Sequence, residues 1–251
     1  DFTFCLNTNY IFGKNAEGQV GEQVARFSQS KKALIVYATD RIKKDGLFGR
    51  VTASLENSGI EWFELGGVVP NPRASLVRKG IELAKEKGID FVLGVGGGSV
   101  IDTARAIAGA YYYDGDVLDL CYGKADPPEQ ILGLGAVLTL AAAGSESSMF
   151  AVISDDETGQ KLGFGAPHLR PLFSVLNPEL TYTVNKWHTA CGACDMMAHS
   201  LEPYFTTSEE TSLTDGFIEA LLRGVIAAAP KALQEPANYQ ARATLMWAST
   251  M

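Results

Sequence analysis

Apolar residues take two forms along the first two-thirds of this chain, short β-branched runs and longer helical patterns, and the two alternate. Lys32-Ala-Leu-Ile-Val-Tyr37 predicts an apolar strand, followed by a turn at Thr39-Asp40 and a helix over 46–58. Gly59-Ile-Glu-Trp-Phe-Glu64 predicts the next strand. Over 74–87, Leu76, Val77, Ile81, Leu83 and Ala84 recur at helical spacing, and Gly88 is the stop signal. Phe91-Val-Leu-Gly-Val95 predicts a buried strand, and the glycines behind it open a helix over 99–109. Strands alternating with helices of this length imply βαβ units and a parallel sheet, an α/β domain of the nucleotide-binding kind.

After about Pro178 the strand signals vanish, and the pattern is helical over 183–203, 213–229 and 238–251. Thr183 is the candidate N-cap of the first of these helices, with Pro203 and Pro230 as breakers. The domain boundary is therefore set near residue 180. Residues 1–180 are expected to form the α/β domain, and 181–251 to begin an all-helical one. The last helical pattern, ending at Met251, carries no C-cap signal, so the helical domain is expected to be incomplete in this chain. No internal repeat, charge block or linker tract is visible.

Composition narrows the class of protein. The 251 residues are 46% hydrophobic and 20% charged, enough for one large core or two modest ones. Twenty-one basic against 29 acidic residues give a net charge of −8, which argues against a nucleic-acid binder or a basic membrane-surface protein. Collagen-like, low-complexity and disulfide-scaffold classes are excluded by the same composition. Cys5, Cys121, Cys191 and Cys194 make no disulfide framework and, with no signal peptide at the start, point to a reducing cytoplasm. The apolar run over 131–143 is too short and too rich in Gly and Ala to span a bilayer.

Gly94-Val-Gly96-Gly97-Gly98-Ser99 lies between a predicted strand and a predicted helix. Successive glycines let backbone N–H groups approach a pyrophosphate, and a helix N-terminus adds partial positive charge. Ser99 is either the N-cap or a phosphate donor. A tight turn that binds nothing is the alternative, but a mere turn needs only one or two glycines. Asp102, one turn further on, is either a solvated first-turn carboxylate or a polar contact in the cofactor cleft. Asp40, just past a strand, stands where a carboxylate takes ribose hydroxyls and repels a 2′-phosphate, or is simply a turn residue. Arg41 and Lys43 follow at once, so the balance only leans to NAD over NADP.

Asp195 and His199 stand at i and i+4, one face of a helix and a spacing suited to chelating a divalent ion. The alternative is a surface Asp–His pair, but the apolar residues around it predict burial. Glu202 is read as a rim charge in preference to a ligand. Cys191-x-x-Cys194 has no second C-x-x-C to complete a zinc site and is assigned to helix packing. His168, in a Pro-rich loop, and His188, near a helix start, do not finish a metal site that needs about three protein ligands. No Ser–His–Asp or Cys–His arrangement is convincing.

Four motifs in order then resemble one family. They are Gly96-Gly-Gly-Ser-Val-Ile-Asp102-Thr-Ala-Arg-Ala-Ile-Ala108, Gly144-Ser-Glu146, Asn177-Pro-Glu-Leu-Thr181 and Ala193-Cys-Asp-Met-Met-Ala-His199. Together they closely resemble the iron-containing (group III) alcohol dehydrogenases, in the butanol dehydrogenase branch, from about Phe2 to Met251. The resemblance implies a dehydroquinate-synthase-like fold, an α/β dinucleotide domain and a helical C-terminal domain with the active site between them. It implies reversible oxidation of a primary alcohol to an aldehyde, with NAD or NADP as cofactor and Fe2+ or Zn2+ as Lewis acid. By the same resemblance Gly97, Gly98 and Ser99 hold the pyrophosphate, Asp40 lies by the adenosine ribose and Asn71 near the diphosphate. Thr139, Leu140 and Leu180 line the adenine pocket, Lys161 touches the nicotinamide-side ribose, and Asp195 and His199 are the first two metal ligands.

The departures are specific. The family's other two ligands are histidines beyond the end of this chain, and Ala143 replaces the usual threonine before Gly-Ser-Glu. Thr39-Asp40-Arg41 breaks the glycine-rich, serine-ending stretch of the NADP-preferring butanol dehydrogenases and supports the lean to NAD. Two rivals stand beside the alcohol dehydrogenase reading. One is a non-catalytic dinucleotide-binding fragment or paralogue, and the other is glycerol-dehydrogenase-like polyol oxidation. The expected partners are a small alcohol or aldehyde and possible homodimerisation, with no nucleic acid and no membrane.

Overall fold

The computed structural model describes residues 5–207 and 211–251; Phe2, where the resemblance begins, lies outside them. The chain enters through β1 (Asn9–Phe12) and α1 (Val20–Phe27), then passes to β2 (Lys32–Val36). A short α2 (Arg41–Lys44) precedes α3 (Leu47–Asn57), and β3 (Glu61–Leu65) completes the first βαβ unit. Then follow α4 (Ala74–Lys87), β4 (Phe91–Gly96), α5 (Gly98–Ala110), α6 (Val117–Cys121) and β5 (Gly133–Leu138). A hairpin of β6 (Phe150–Ser154) and β7 (Lys161–Gly165) leads to β8 (Phe173–Leu176). Beyond it lie α7 (Lys186–Tyr204), α8 (Ser212–Gln234) and α9 (Tyr239–Thr250), with no further strand among the described residues.

Six strands form one parallel sheet in the order β1-β8-β5-β4-β2-β3, and β6 and β7 pair apart from it, antiparallel. The predicted strand at 32–37, helix at 74–87 and strand at 91–95 are all present. Gly88 closes α4 in the left-handed conformation (φ 65°), which costs glycine nothing. Four of the five residues of β2 and every residue of β4 are buried, as befits central strands covered on both faces. Ile107 on α5 and Val77 on α4 join Leu34 and Val92 in one apolar cluster over the sheet.

Two compact units divide the chain. The first runs to Leu138 and resumes over Ser145–Leu176; the second takes Thr139–Gly144 and Asn177–Met251. In the second unit, Ala193 and Met196 of α7 pack with Val225, Ala228 and Ala232 of α8 and Leu245 of α9.

Two helix signals are corrected. Asn185, not Thr183, caps α7: its Oδ1 accepts the N–H of His188 at 2.8 Å. Pro230 lies inside α8, which continues to Gln234, whereas Pro203 is the last residue but one of α7, close to the expected end. Each removes one N–H, and the residues four back, His199 and Ile226, are exposed, so the orphaned carbonyls can turn to solvent.

Candidate functional site

β4 runs into α5 through the glycine turn. A Cβ on Gly94 would lie 3.2 Å from the Cα of Ile101, and one on Gly96 would lie 2.5 Å from the Val100 side chain. Those two glycines let the helix lie close on the strand. Gly97 precedes the helix and Gly98 and Ser99 open it, so Ser99 is in the first turn and is not the N-cap. The leading N–H groups of a helix have no partner within it and present partial positive charge to an anion. A Cβ on Gly98 would stand 2.9 Å from Ser145 Oγ, so the Gly144-Ser-Glu146 motif brings a hydroxyl against the turn.

Asp102 is not solvated. Its Oδ1 accepts from Arg105 Nη1 at 2.7 Å and its Oδ2 from the Val152 N–H at 3.3 Å. Arg105 is fully buried (0% exposed), and it also donates to the carbonyls of Phe150 at 2.7 Å, Leu169 at 3.2 Å and Ser145. Burial pushes the Asp102 carboxyl above the usual carboxylate range even against the pull of Arg105, and pulls the Arg105 guanidinium below its own. The pair therefore staples α5 to the segment carrying Ser145. The one signal for Arg105 in the sequence is its i, i+3 spacing from Asp102, the spacing of a helical ion pair.

The remaining cofactor candidates sit as follows. Asp40 immediately precedes α2 with its side chain 71% exposed, 3.6 Å from Lys43 Nζ. Asn71 is exposed between two prolines and adopts the left-handed conformation (φ 56°), which asparagine tolerates better than most residues. Lys161 opens β7, exposed and in register with Ser154. Thr139 and Leu140 follow β5 and, with Leu180 in the turn Pro178–Thr181, belong to the second unit. There the 139–144 loop is gripped by α9 and α7. The Ala142 N–H donates to Ser249 Oγ at 3.0 Å, and a Cβ on Gly192 would lie 2.5 Å from the Ala141 carbonyl oxygen.

On α7, Asp195 Oδ1 and His199 Nε2 stand 3.8 Å apart, one turn from each other. Their side chains are 46% and 57% exposed, so the expected burial is overturned. Ala193 and Met196 take the core face instead. Cys191 and Cys194 are exposed as well, not packed in the helix interior. Cys121 is the buried one, with its thiol pushed up to about 11 by burial. His168 Nε2 lies 3.0 Å from the Pro128 carbonyl, His188 is exposed beside Asn185, and Glu202 is exposed, as the rim-charge reading expects.

A carboxylate oxygen and an imidazole nitrogen are the donors that a divalent iron or zinc ion takes. Two ligands at about 2.1 Å from one ion stand roughly 3–3.5 Å apart, close to the spacing here, so the pair fits two corners of such a site. Among the described residues no group of three or more His, Cys, Asp or Glu could hold a metal ion.

Residues 7–178 match the family described as iron-containing alcohol dehydrogenase, and residues 189–251 match the Fe-containing alcohol dehydrogenase family, C-terminal. The NADH-dependent butanol dehydrogenase A of Clostridium acetobutylicum is 43% identical over 252 residues, covering 100% of this chain and 64% of that protein. An NADPH-dependent aldehyde reductase of Escherichia coli is 36% identical over 252 residues, with the same coverage of both. The solved structure of NADH-dependent butanol dehydrogenase A from Thermotoga maritima matches with a TM-score of 0.95 at 36% identity, over 100% of this chain and 62% of that one. The chain thus spans a little under two-thirds of the length of these relatives. Matched along nearly all of its described length, the chain belongs to the iron-containing alcohol dehydrogenase family.

Proposed function

We propose that the full-length protein containing these residues interconverts a primary alcohol and its aldehyde with a nicotinamide cofactor, preferring NAD. The observation that carries this reading is the Asp195–His199 pair, one turn apart on α7 at 3.8 Å, in a chain whose whole length matches named butanol dehydrogenases. Gly97, Gly98 and Ser99 hold the pyrophosphate through the opening N–H groups of α5. Asn71 lies by the diphosphate, Lys161 by the nicotinamide-side ribose, and Asp40 accepts from the adenosine ribose hydroxyls. Asp102 acts through Arg105, fixing the Ser145 segment beside the turn.

Asp195 and His199 are two of the protein ligands of a divalent iron or zinc ion. When bound, the ion supplies Lewis-acid polarisation of the substrate oxygen. When bound, the nicotinamide cofactor would supply the hydride chemistry, and the chain's part would be to hold and orient it. All four cysteines are free and no helix among the described residues is long and apolar enough to cross a membrane, which supports a cytoplasmic enzyme. A homodimer is the assembly expected of a soluble enzyme of this kind.

Full-length protein loaded with iron is assayed with butyraldehyde and NADH, and in parallel with glycerol and NAD. Faster turnover of the aldehyde is the expected result. Dominant glycerol oxidation would move the assignment to polyol oxidation.

A further inference from the structure

Lys43 is held on several sides. Its Nζ lies 2.7 Å from Glu64 Oε2 and 3.6 Å from Asp40 Oδ1, and 5.2 and 5.0 Å from the ring centroids of Tyr37 and Phe48. The Tyr37 hydroxyl donates to the same Glu64 oxygen at 3.1 Å. The parallel register of β2 and β3 puts Ile35 opposite Glu64, so Glu64 comes to the end of β2 from which the chain turns into α2. The neighbouring cation, Arg41, bonds Asp45 at 3.3 Å.

Recognition of a 2′-phosphate needs a cation that can turn to it, because the group brings close to two negative charges. Here Asp40 and Glu64 set two negative charges around the single positive charge of Lys43. Asp40 alone leaves that lysine able to rotate towards a phosphate. Glu64 removes the option by giving it a nearer carboxylate.

We propose that Glu64 is a second determinant of cofactor choice, discriminating against NADP by holding Lys43 on the protein. This rests on the reading that the adenosine ribose lies beside Asp40. Glu64→Gln keeps the size of the side chain and its ability to accept from Lys43 and Tyr37 while removing the charge. A merely structural role would be rescued by that change; a charge-based role would not.

The test is the ratio of kcat/KM with NADPH to kcat/KM with NADH, measured on the full-length enzyme. NADPH binding is followed independently by quenching of intrinsic fluorescence. Glu64→Gln is expected to raise the ratio about tenfold, the scale of one charge-assisted contact. Adding Lys43→Met to that variant is expected to remove the gain, and Asp40→Gly is expected to raise the ratio by itself. If Asp40→Gly raises the ratio and Glu64→Gln does not, in turnover or in binding, the role of Glu64 is overturned while the cofactor placement stands. If a gain from Glu64→Gln survives Lys43→Met, the lysine is not the group Glu64 restrains and the proposal falls. If neither Asp40→Gly nor Glu64→Gln moves the ratio, the cofactor placement fails and takes this proposal with it.

Discussion

Arg105 Nη1 meets Asp102 Oδ1 at 2.7 Å inside the first unit, with the arginine side chain 0% and the aspartate side chain 13% exposed. Two charges this deep are stable only as a pair, because removing one strands the other in a medium that solvates it poorly. Asp102→Ala is therefore expected to destabilise the protein by about 3–5 kcal/mol, read from urea denaturation. A loss below about 1 kcal/mol would mean that the carbonyls around Arg105 satisfy it without the carboxylate.

The glycines of the 94–98 turn separate packing from binding. An added methyl at Gly94 meets the backbone of Ile101 at 3.2 Å, where relief requires α5 to move. At Gly98 it meets only the Ser145 side chain, with Oγ at 2.9 Å, and a shift of that side chain relieves the contact without moving α5. Gly94→Ala is expected to lower stability by roughly 1–3 kcal/mol. Gly98→Ala is expected to leave the melting temperature nearly unchanged and to raise KM for the dinucleotide. Matching effects of the two variants on both measurements would contradict this division.

Exposure makes Asp195 and His199 clean targets. At 46% and 57% exposed, the two side chains pack little in this chain, so Asp195→Ala and His199→Ala are expected to change its stability by no more than about 0.5 kcal/mol in the absence of metal. In the full-length enzyme each is expected to abolish turnover and leave dinucleotide binding largely intact, measured by fluorescence titration. Equal loss of dinucleotide binding in both variants would remove them from the metal site.

Asp116 caps α6 and accepts from Arg78 at 2.6 and 2.9 Å. Those hydrogen bonds from the guanidinium hold the Asp116 carboxyl below its usual value of 3.8. A depressed folded-state value gives stability that is fully present above the unfolded value, near pH 4, and is lost as pH falls through the folded one. Melting temperature against pH should therefore fall more steeply below pH 4 in the parent protein than in Asp116→Asn. Parallel curves would show that the pair contributes nothing measurable.

The core of the first unit was legible where local chemistry is unambiguous. β2 is a buried β-branched run, and α4 shows a clear apolar stripe closed by a left-handed glycine. β5 was not legible, for a packing reason. A Cβ on Gly133 or Gly135 would lie 2.4 and 2.6 Å from the rings of Phe91 and Phe173, and those rings stack at 5.9 Å. The glycines that make room for two phenylalanines also strip the strand of β-branched signal. Nor does anything local set Thr139–Gly144 apart from the strand before it, because its contacts with Gly192 and Ser249 are distant in sequence. The Asp195–His199 spacing was readable, but its burial was not. Neighbouring apolar residues showed that α7 has a core face without showing which residues lie on it. The Glu64–Lys43 contact depends on strand register, which no spacing along the chain reveals.

The most direct test is metal dependence of the full-length protein. Aldehyde-dependent NADH oxidation is measured before chelation, after chelation, and after adding back Fe2+ or Zn2+. The parent protein is expected to lose activity on chelation and to regain it with the ion, while Asp195→Ala and His199→Ala stay inactive throughout. Undiminished activity in metal-stripped protein, or full activity in either variant, would contradict a metal held by this pair.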